Sequence, residues 1–314
     1  MTDSVETLRD ALQWEGYPVA STLAHGTVDI RIGRVGSSGP VGVLTAGAHG
    51  DEGPWGALAI NQLLRQTPRS ELLGTLRVVP MAHPLSVEAN ARQCELDLLN
   101  LNGIFPGNPK GTHTERVAAV IAEHALDGSD YVIDVHGGGS WNVNCFVYRM
   151  PGSHDLADWM GAPLVMDGID SPTSLVGYAR GQGAKGAWVE MGGKGDREEE
   201  RIAAVTAGLR TALGRAGVLT PTDAASTKSL VGTAMSALVT SSPGIYQPLK
   251  READLGTIVD EGTVVGQLLD PVTSEVIEVF RTPYRRGMLA LLRPTLAVVE
   301  GSGKVVAVVA EVDA

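Results

Sequence analysis

The sequence predicts an α/β domain with a mixed central sheet flanked by helices, followed by a smaller all-β domain at the carboxyl-terminal end. Three observations predict it. Apolar, strand-length runs alternate with helix-length segments as far as about residue 220. Four polar residues stand where those runs should end. Beyond about residue 228 the texture changes to short β-branched runs separated by turn signals.

The runs that read as strands are 29–34, 41–48, 76–81, 131–136, 144–148 and 187–191. Between them 53–66, 112–125 and 197–216 carry helical periodicity, and 171–182 reads as a further helix. Pro54 sits just inside the start of the first helix, and acidic residues occupy the first turn of the 197–216 helix, as helix amino termini favour. In the last part of the chain Asp254-Leu255-Gly256 and Asp260-Glu261-Gly262 are turn signals. The boundaries this implies are 1–225 for the α/β domain and 226–314 for the β-rich one, with 221–229 as linker.

At 314 residues the chain buries a sizeable core without staples. Its two cysteines, Cys94 and Cys145, cannot form a disulfide framework, which points to a reducing, cytoplasmic setting. The amino terminus lacks the basic and apolar regions of a secretory signal, and no apolar run approaches the roughly 20 residues of a membrane span. A net charge of -11 argues against nucleic acid or anionic membrane as partner. Self-association as a homo-oligomer is an open expectation.

The polar residues at the strand ends are His49 and Glu52 after 41–48, His136 closing 131–136, and Glu190 near the end of 187–191. In an open α/β sheet, ligands gather outside the carboxyl ends of the strands, so these four can converge on one edge. Two histidines and a carboxylate form a catalytic zinc set, because three protein ligands leave a fourth position open. His49 and Glu52 lie three residues apart in Ala48-His49-Gly50-Asp51-Glu52-Gly53, so both can face one point across a tight turn. Asp134 falls on the same strand face as His136, where a carboxylate can orient a ligand imidazole; it reads equally as a strand-edge residue or a cap. Taken singly, a histidine ending a strand is more often hydrogen-bonded structure than a ligand, and Glu190 alone reads most simply as a helix cap or an ion-pair partner.

The order Gly47-Ala48-His49-Gly50-Asp51-Glu52-Gly53, Leu101-Asn102-Gly103-Ile104-Phe105-Pro106-Gly107, Asp134-Val135-His136 and Val189-Glu190-Met191-Gly192-Gly193 resembles the succinylglutamate desuccinylase and aspartoacylase family of the zinc carboxypeptidase clan. It is most similar to the branch that removes acyl groups from small amino acids, whose Gly-Thr-x-Thr-Glu-Arg helix start is matched by Gly111-Thr112-His113-Thr114-Glu115-Arg116. The resemblance implies a zinc-carboxypeptidase-like fold and one zinc ion (Zn2+) per chain on His49, Glu52 and His136. It also implies Glu190 as catalytic carboxylate, Arg92 polarising the scissile carbonyl, and Asn102 among the substrate contacts.

One departure is informative. Where the family has Asn-Arg, which by resemblance grips the substrate's α-carboxylate, this chain has Asn102-Gly103. An anchor commonly worth about 1.5 to 3 kcal/mol is thereby absent. Arg180, Arg149 and Lys185 are the candidate replacements, with Arg180 preferred because its helix leads into the Glu190 strand. A second departure, His83-Pro84 where relatives tend to have Asn-Pro, offers an added donor near the pocket. The expected activity is hydrolysis of the amide of a small N-acylated amine or amino acid. An ester hydrolase or transacylase on the same site, or a silent metabolite-binding relative, stands as the alternative.

Overall fold

The period-2 alternation of the central strands decides the layers, because it sends neighbouring side chains into different cores. The computed structural model describes residues 5–20, 26–52, 54–168, 171–192, 198–222, 228–298 and 304–313. In chain order the strands of the first part are β1 (Gln13–Ala20), β2 (Thr27–Val35), β3 (Val41–Ala46), β4 (Thr75–Val79), β5 (Tyr131–His136), β6 (Asn142–Val143), β7 (Phe146–Arg149), β8 (Leu164–Asp167) and β9 (Lys185–Glu190). The helices are α1 (Leu8–Ala11), α2 (Trp55–Gln66), α3 (Pro84–Glu88), α4 (His113–Ile121), α5 (His154–Trp159), α6 (Leu175–Gly181) and α7 (Glu198–Arg215).

On β3, Leu44 and Ala46 pack into one core with α2 and α7, whereas Val43 joins a second core with α4 and α6. On β5, Ile133 and Val135 enter the first core and Val132 the second. The sheet is thus covered on both faces. Ile60, Leu63 and Leu64 of α2 are almost wholly buried, each stabilising by roughly 1.5 to 3 kcal/mol relative to exposure.

The strands after residue 230 are β10 (Leu230–Val239), β11 (Gly244–Pro248), β12 (Ile258–Val259), β13 (Val264–Leu269), β14 (Val276–Arg281), β15 (Gly287–Leu292), β16 (Leu296–Val298) and β17 (Val305–Val312). The large sheet runs β1-β2-β4-β3-β5-β9-β7-β8-β10-β17-β15-β12, with β6 beside β15. Pairing is parallel for β4-β3-β5-β9 and for β7-β8-β10, and antiparallel elsewhere. A separate antiparallel sheet, β14-β13-β11-β16, stands at the carboxyl-terminal end. The late strands therefore divide: β10, β17, β15 and β12 extend the large sheet, and the other four form the small one. No described helix is long and apolar enough to cross a membrane.

Several boundaries differ from the sequence expectation for physical reasons. The 41–48 run stops being a strand at Ala46 because Gly47 takes φ +72°. The 144–148 run splits at Asn144, which donates its N–H to Ala290 O; β6 then pairs with β15 while β7 pairs with β8 and β9. The 112–125 helix ends its regular part at Ile121 and continues as a π turn, Ala122–Leu126. β1, β8 and α5 were not expected. β1 is almost all exposed and shows no alternation, and β8 is a four-residue run, buried at its first three positions, that periodicity cannot classify. Gly53, Arg197 and most of the 221–229 linker lie outside the described residues.

Gly56 on α2 marks how closely helix and sheet approach. A Cβ there would lie 2.8 Å from Ala46 Cβ and 3.0 Å from Val135 O. Alanine favours a helix over glycine by about 1 kcal/mol, whereas overpacking costs about 1 to 3 kcal/mol. Gly56→Ala should thus lower stability despite its better helix propensity, measured as a reduced denaturant midpoint; a gain would show that α2 stands clear of β3 and β5.

Candidate active site

The site forms at the carboxyl ends of three neighbouring parallel strands. β3 leads through the Gly47 turn into a 3-10 turn, Gly50–Glu52, that presents His49 and Glu52. This loop lies directly on α3, for a Cβ at Gly50 would fall 1.8 Å from Ser86 O. β5 ends on His136 and β9 on Glu190, and their parallel register sets His136 beside Glu190 and Asp134 beside Trp188. Across the other edge of β5, Thr45 of β3 lies beside Asp134.

His49 Nδ1 is 2.9 Å from Glu52 Oε1, and His136 Nδ1 is 2.7 Å from Glu52 Oε2. The two Nδ1 atoms are 3.2 Å apart, and none of the three residues is more than 5% exposed. Each imidazole is held from behind through Nε2, His136 by Asp134 Oδ2 at 2.8 Å and His49 by Asn100 Oδ1 at 3.0 Å. Asp134 in turn accepts from Thr45 Oγ1 at 2.6 Å. Nitrogens about 2.0 to 2.1 Å from a tetrahedral zinc ion sit about 3.3 Å from each other. The donor set, its spacing and the oriented imidazoles fit such an ion, with one position left open.

Burial pulls the His136 pKa down, but the Asp134 and Glu52 carboxylates outweigh it and raise it well above the usual imidazole range. Burial pushes Glu52 up, but His136 and His49 hold it well below the usual carboxylate range. Asp134 is lowered in the same way, the attraction of His136 and its hydrogen bonds exceeding the effect of burial. Glu190 behaves oppositely: burial, then repulsion from Glu52, push it up to about 8. Its Oε1 accepts from Trp188 Nε1 at 3.1 Å, and its Oε2 is buried with no partner among the described residues.

Glu52 and Glu190 line a cleft of about 360 Å³ whose walls also include Asp51, Arg92, Trp141 and Arg293. A smaller cavity of about 80 Å³ among Cys145, Met160 and Val205 holds none of them. Arg92 is brought to the site, its Nη1 lying 2.9 Å from Glu52 Oε1. Asn102 is not among the lining residues. It is buried, its Oδ1 accepts from Leu175 N at 2.8 Å at the start of α6, and its Nδ2 stands 3.5 Å from His136 Nε2. That geometry makes it a support behind His136 and does not favour substrate contact.

Arg180 also stays out of the cleft, with its Nη2 donating to Pro151 O at 2.6 Å. Arg149 is paired with Asp158 and Lys185 with Asp155. Besides Arg92, the cleft is lined by Arg293, just past β15. β15 pairs with β6, setting Leu291 beside Val143 and Leu292 beside Asn142, and this brings Arg293 onto the Trp141 ring at 3.8 Å and its Nη1 onto Ser140 Oγ. His83 does not line the cleft; its Nδ1 stands 3.5 Å from Ser86 N at the start of α3.

Asn100, Thr45, Trp188, Trp141 and Arg293 were missed from sequence. Trp188 was findable, since it precedes Glu190 by two residues just as Asp134 precedes His136. Arg293 carried no local signal, because a strand pairing made from 150 residues away places it.

Glu190 has a folded pKa of about 8 against an ordinary 4.5, so its contribution to stability is present below about pH 4.5 and lost as pH rises through about 8. Glu190→Gln abolishes that titration. In chelator-treated protein the variant should gain on the parent as pH rises from about 5 to 9, by a few kcal/mol at about 1.4 kcal/mol per unit. Denaturant midpoints measured across that range check it, and a pH-independent difference would contradict the assignment.

A sequence profile of the succinylglutamate desuccinylase/aspartoacylase catalytic domain matches residues 38–216. The chain is 28% identical over 292 residues to an N-alpha-acetyl-L-2,4-diaminobutyric acid deacetylase of Halomonas elongata, covering 87% of this chain and 83% of that one. A solved succinylglutamate desuccinylase of Silicibacter sp. TM1040 superposes with a TM-score of 0.83 at 25% identity, over 96% of this chain and 95% of its own. A product-bound ectoine utilization protein of Ruegeria pomeroyi shares the fold, with a TM-score of 0.79 at 24% identity over 96% and 95% of the two chains. The profile match spans more than half of the sequence, and the chain belongs to the succinylglutamate desuccinylase/aspartoacylase family.

Proposed function

We propose that the chain is a zinc-dependent amidohydrolase that removes the acyl group from a small N-acylated amino acid or amine. His49, Glu52 and His136 would hold the ion of the cleft, and Glu190 would move the proton. The observation that carries this reading is a buried Glu190, its Oε2 unpartnered among the described residues, lining the same cleft as Glu52 of the His49, Glu52 and His136 donor set. The deacetylase of Halomonas elongata supports the same class of reaction.

The chemistry supplied at this position when zinc is bound is Lewis acidity, which draws electron density from an acyl oxygen and from water. Glu190 Oε2 takes the proton of the attacking water and returns it to the departing amine nitrogen. Trp188 keeps Glu190 aimed by occupying Oε1. Arg92 stabilises negative charge growing on the acyl oxygen. Asp134 and Asn100 hold the two imidazoles in one orientation throughout.

Arg293 takes the place of the missing anchor at Gly103. Burial, then the charge of Arg92, act against its own positive charge, so a carboxylate seated between the two guanidiniums relieves both. Asp51 lines the same cleft with its Oδ1 buried and unpartnered among the described residues, which suits an amino group on the same substrate. The reading is thus of an N-acyl amino acid carrying both charges.

Glu190→Gln should retain the cleft metal and lose about 10²- to 10⁴-fold in kcat, followed by release of carboxylate from N-acetylated amino acids. Undiminished turnover by metal-stripped protein would end the reading. Arg293→Ala should raise KM about 10- to 100-fold for N-acyl amino acids while leaving N-acyl amines without a carboxylate unchanged, since charged hydrogen bonds are worth about 1.5 to 3 kcal/mol. Equal losses on both substrates would remove Arg293 from the anchor role.

A further inference from the structure

The cleft does not use every metal-ligating side chain. His83, Cys94 and His113 are all buried, and each offers one donor atom within 4.8 Å of the other two. They come from separate places: His83 caps α3, Cys94 sits in the loop after it, and His113 opens α4. Cys94 is 0% exposed.

Buried core histidines normally have both nitrogens satisfied. His113 does not. Its Nδ1 lies 3.3 Å from Ala20 O, whereas its Nε2 is buried with no partner among the described residues. An N–H donated to that carbonyl leaves a bare lone pair on Nε2, the form in which imidazole ligates a metal.

His83 repeats the arrangement. Its Nε2 is 3.1 Å from Thr114 Oγ1, and that hydroxyl donates to Asp97 Oδ1 at 2.7 Å. Thr114 must therefore accept from His83, which puts the lone pair of His83 on Nδ1, engaged only by the long approach of Ser86 N. Ser86 Oγ is itself buried and unpartnered among the described residues. Two imidazole lone pairs are thus left without a close partner on residues that gather with one thiol, and unpaired buried groups are costly.

We propose that His83, Cys94 and His113 bind a second metal ion, zinc, apart from the one in the cleft, and that it clips the 89–100 loop to the start of α4. One thiolate and two neutral imidazoles suit zinc. Sulfur and nitrogen ligands of a tetrahedral ion lie about 3.3 to 3.6 Å apart, so closure from separations within 4.8 Å requires shifts of at most about 1.5 Å. The fourth position falls to a water.

The clip acts on the cleft through Arg92, two residues before Cys94, whose guanidinium meets Glu52. Asn90 and Leu98, on either side of Cys94, hold left-handed backbone at φ +50° and +56°, conformations that non-glycine residues keep only under restraint from their surroundings.

The cleft donors include no sulfur, so cobalt distinguishes the two sites. Apoprotein of the full chain is loaded with zinc for elemental analysis and with cobalt for absorption spectroscopy. The expected result is two equivalents of zinc, and a near-ultraviolet thiolate-to-cobalt charge-transfer band. Cys94→Ala and His113→Gln should each lose the band and one equivalent. His136→Gln should lose the other equivalent and keep the band, and Cys145→Ala should change neither. A single equivalent with no band in the unaltered protein overturns the proposal, as does a band that survives Cys94→Ala. A single equivalent that keeps the band supports this site and sinks the cleft metal.

Discussion

The Glu52 carboxylate, buried and shared among two imidazoles and a guanidinium at 2.7 to 2.9 Å, is the contact on which the site depends. A buried charge of this kind is tolerated only when its surroundings compensate it. His136 supplies part of that compensation as an imidazolium between Glu52 and Asp134. A divalent ion held there would supply it more fully, because it would replace the shared protons with charge seated among the same atoms. The repulsion of Glu52 also sets Glu190 apart, raising one carboxyl of the cleft while the other stays ionised. Two carboxylates with opposed shifts are what proton transfer beside a cation calls for.

Sheet register delivers these groups. In β5 and β9 the same offset is used twice, with a supporting residue two positions before the functional one: Asp134 behind His136, and Trp188 behind Glu190. Thr45 on β3 extends the supporting row. A one-residue slip of β9 would turn Glu190 to the opposite face of the sheet, so the packing of Ala187 and Val189 into the α2 and α7 core holds the geometry of the cleft as well as stability.

The far wall of the cleft comes from the carboxyl-terminal part of the chain. Because β10, β17, β15 and β12 continue the large sheet, the strand pair β6 and β15 sits beside the cleft and carries Trp141 and Arg293 to it. Where the chain has Gly103 in place of the family's arginine, the carboxyl-terminal part brings the Arg293 guanidinium to the cleft. A Cβ at Gly103 would meet nothing within 4 Å, so that side of the loop is open space.

The sequence by itself determined the α/β class, the strand ends bearing His49, His136 and Glu190, and the paired spacing of His49 with Glu52. Those features are local: alternation, a tight glycine turn and a polar residue closing an apolar run are all written within a few neighbouring positions. It also held the offset that relates Asp134 to His136. The choice of cation was legible only after folding. Arg180, favoured for leading into the Glu190 strand, turns to Pro151, and Asn102 is drawn away by the backbone of Leu175. Arg293 reaches the cleft through a pairing with chain 150 residues earlier, and His83, Cys94 and His113 meet through the packing of α3, its following loop and α4. Long-range contacts of this kind depend on how whole elements bury their apolar faces, and no window of sequence contains that information.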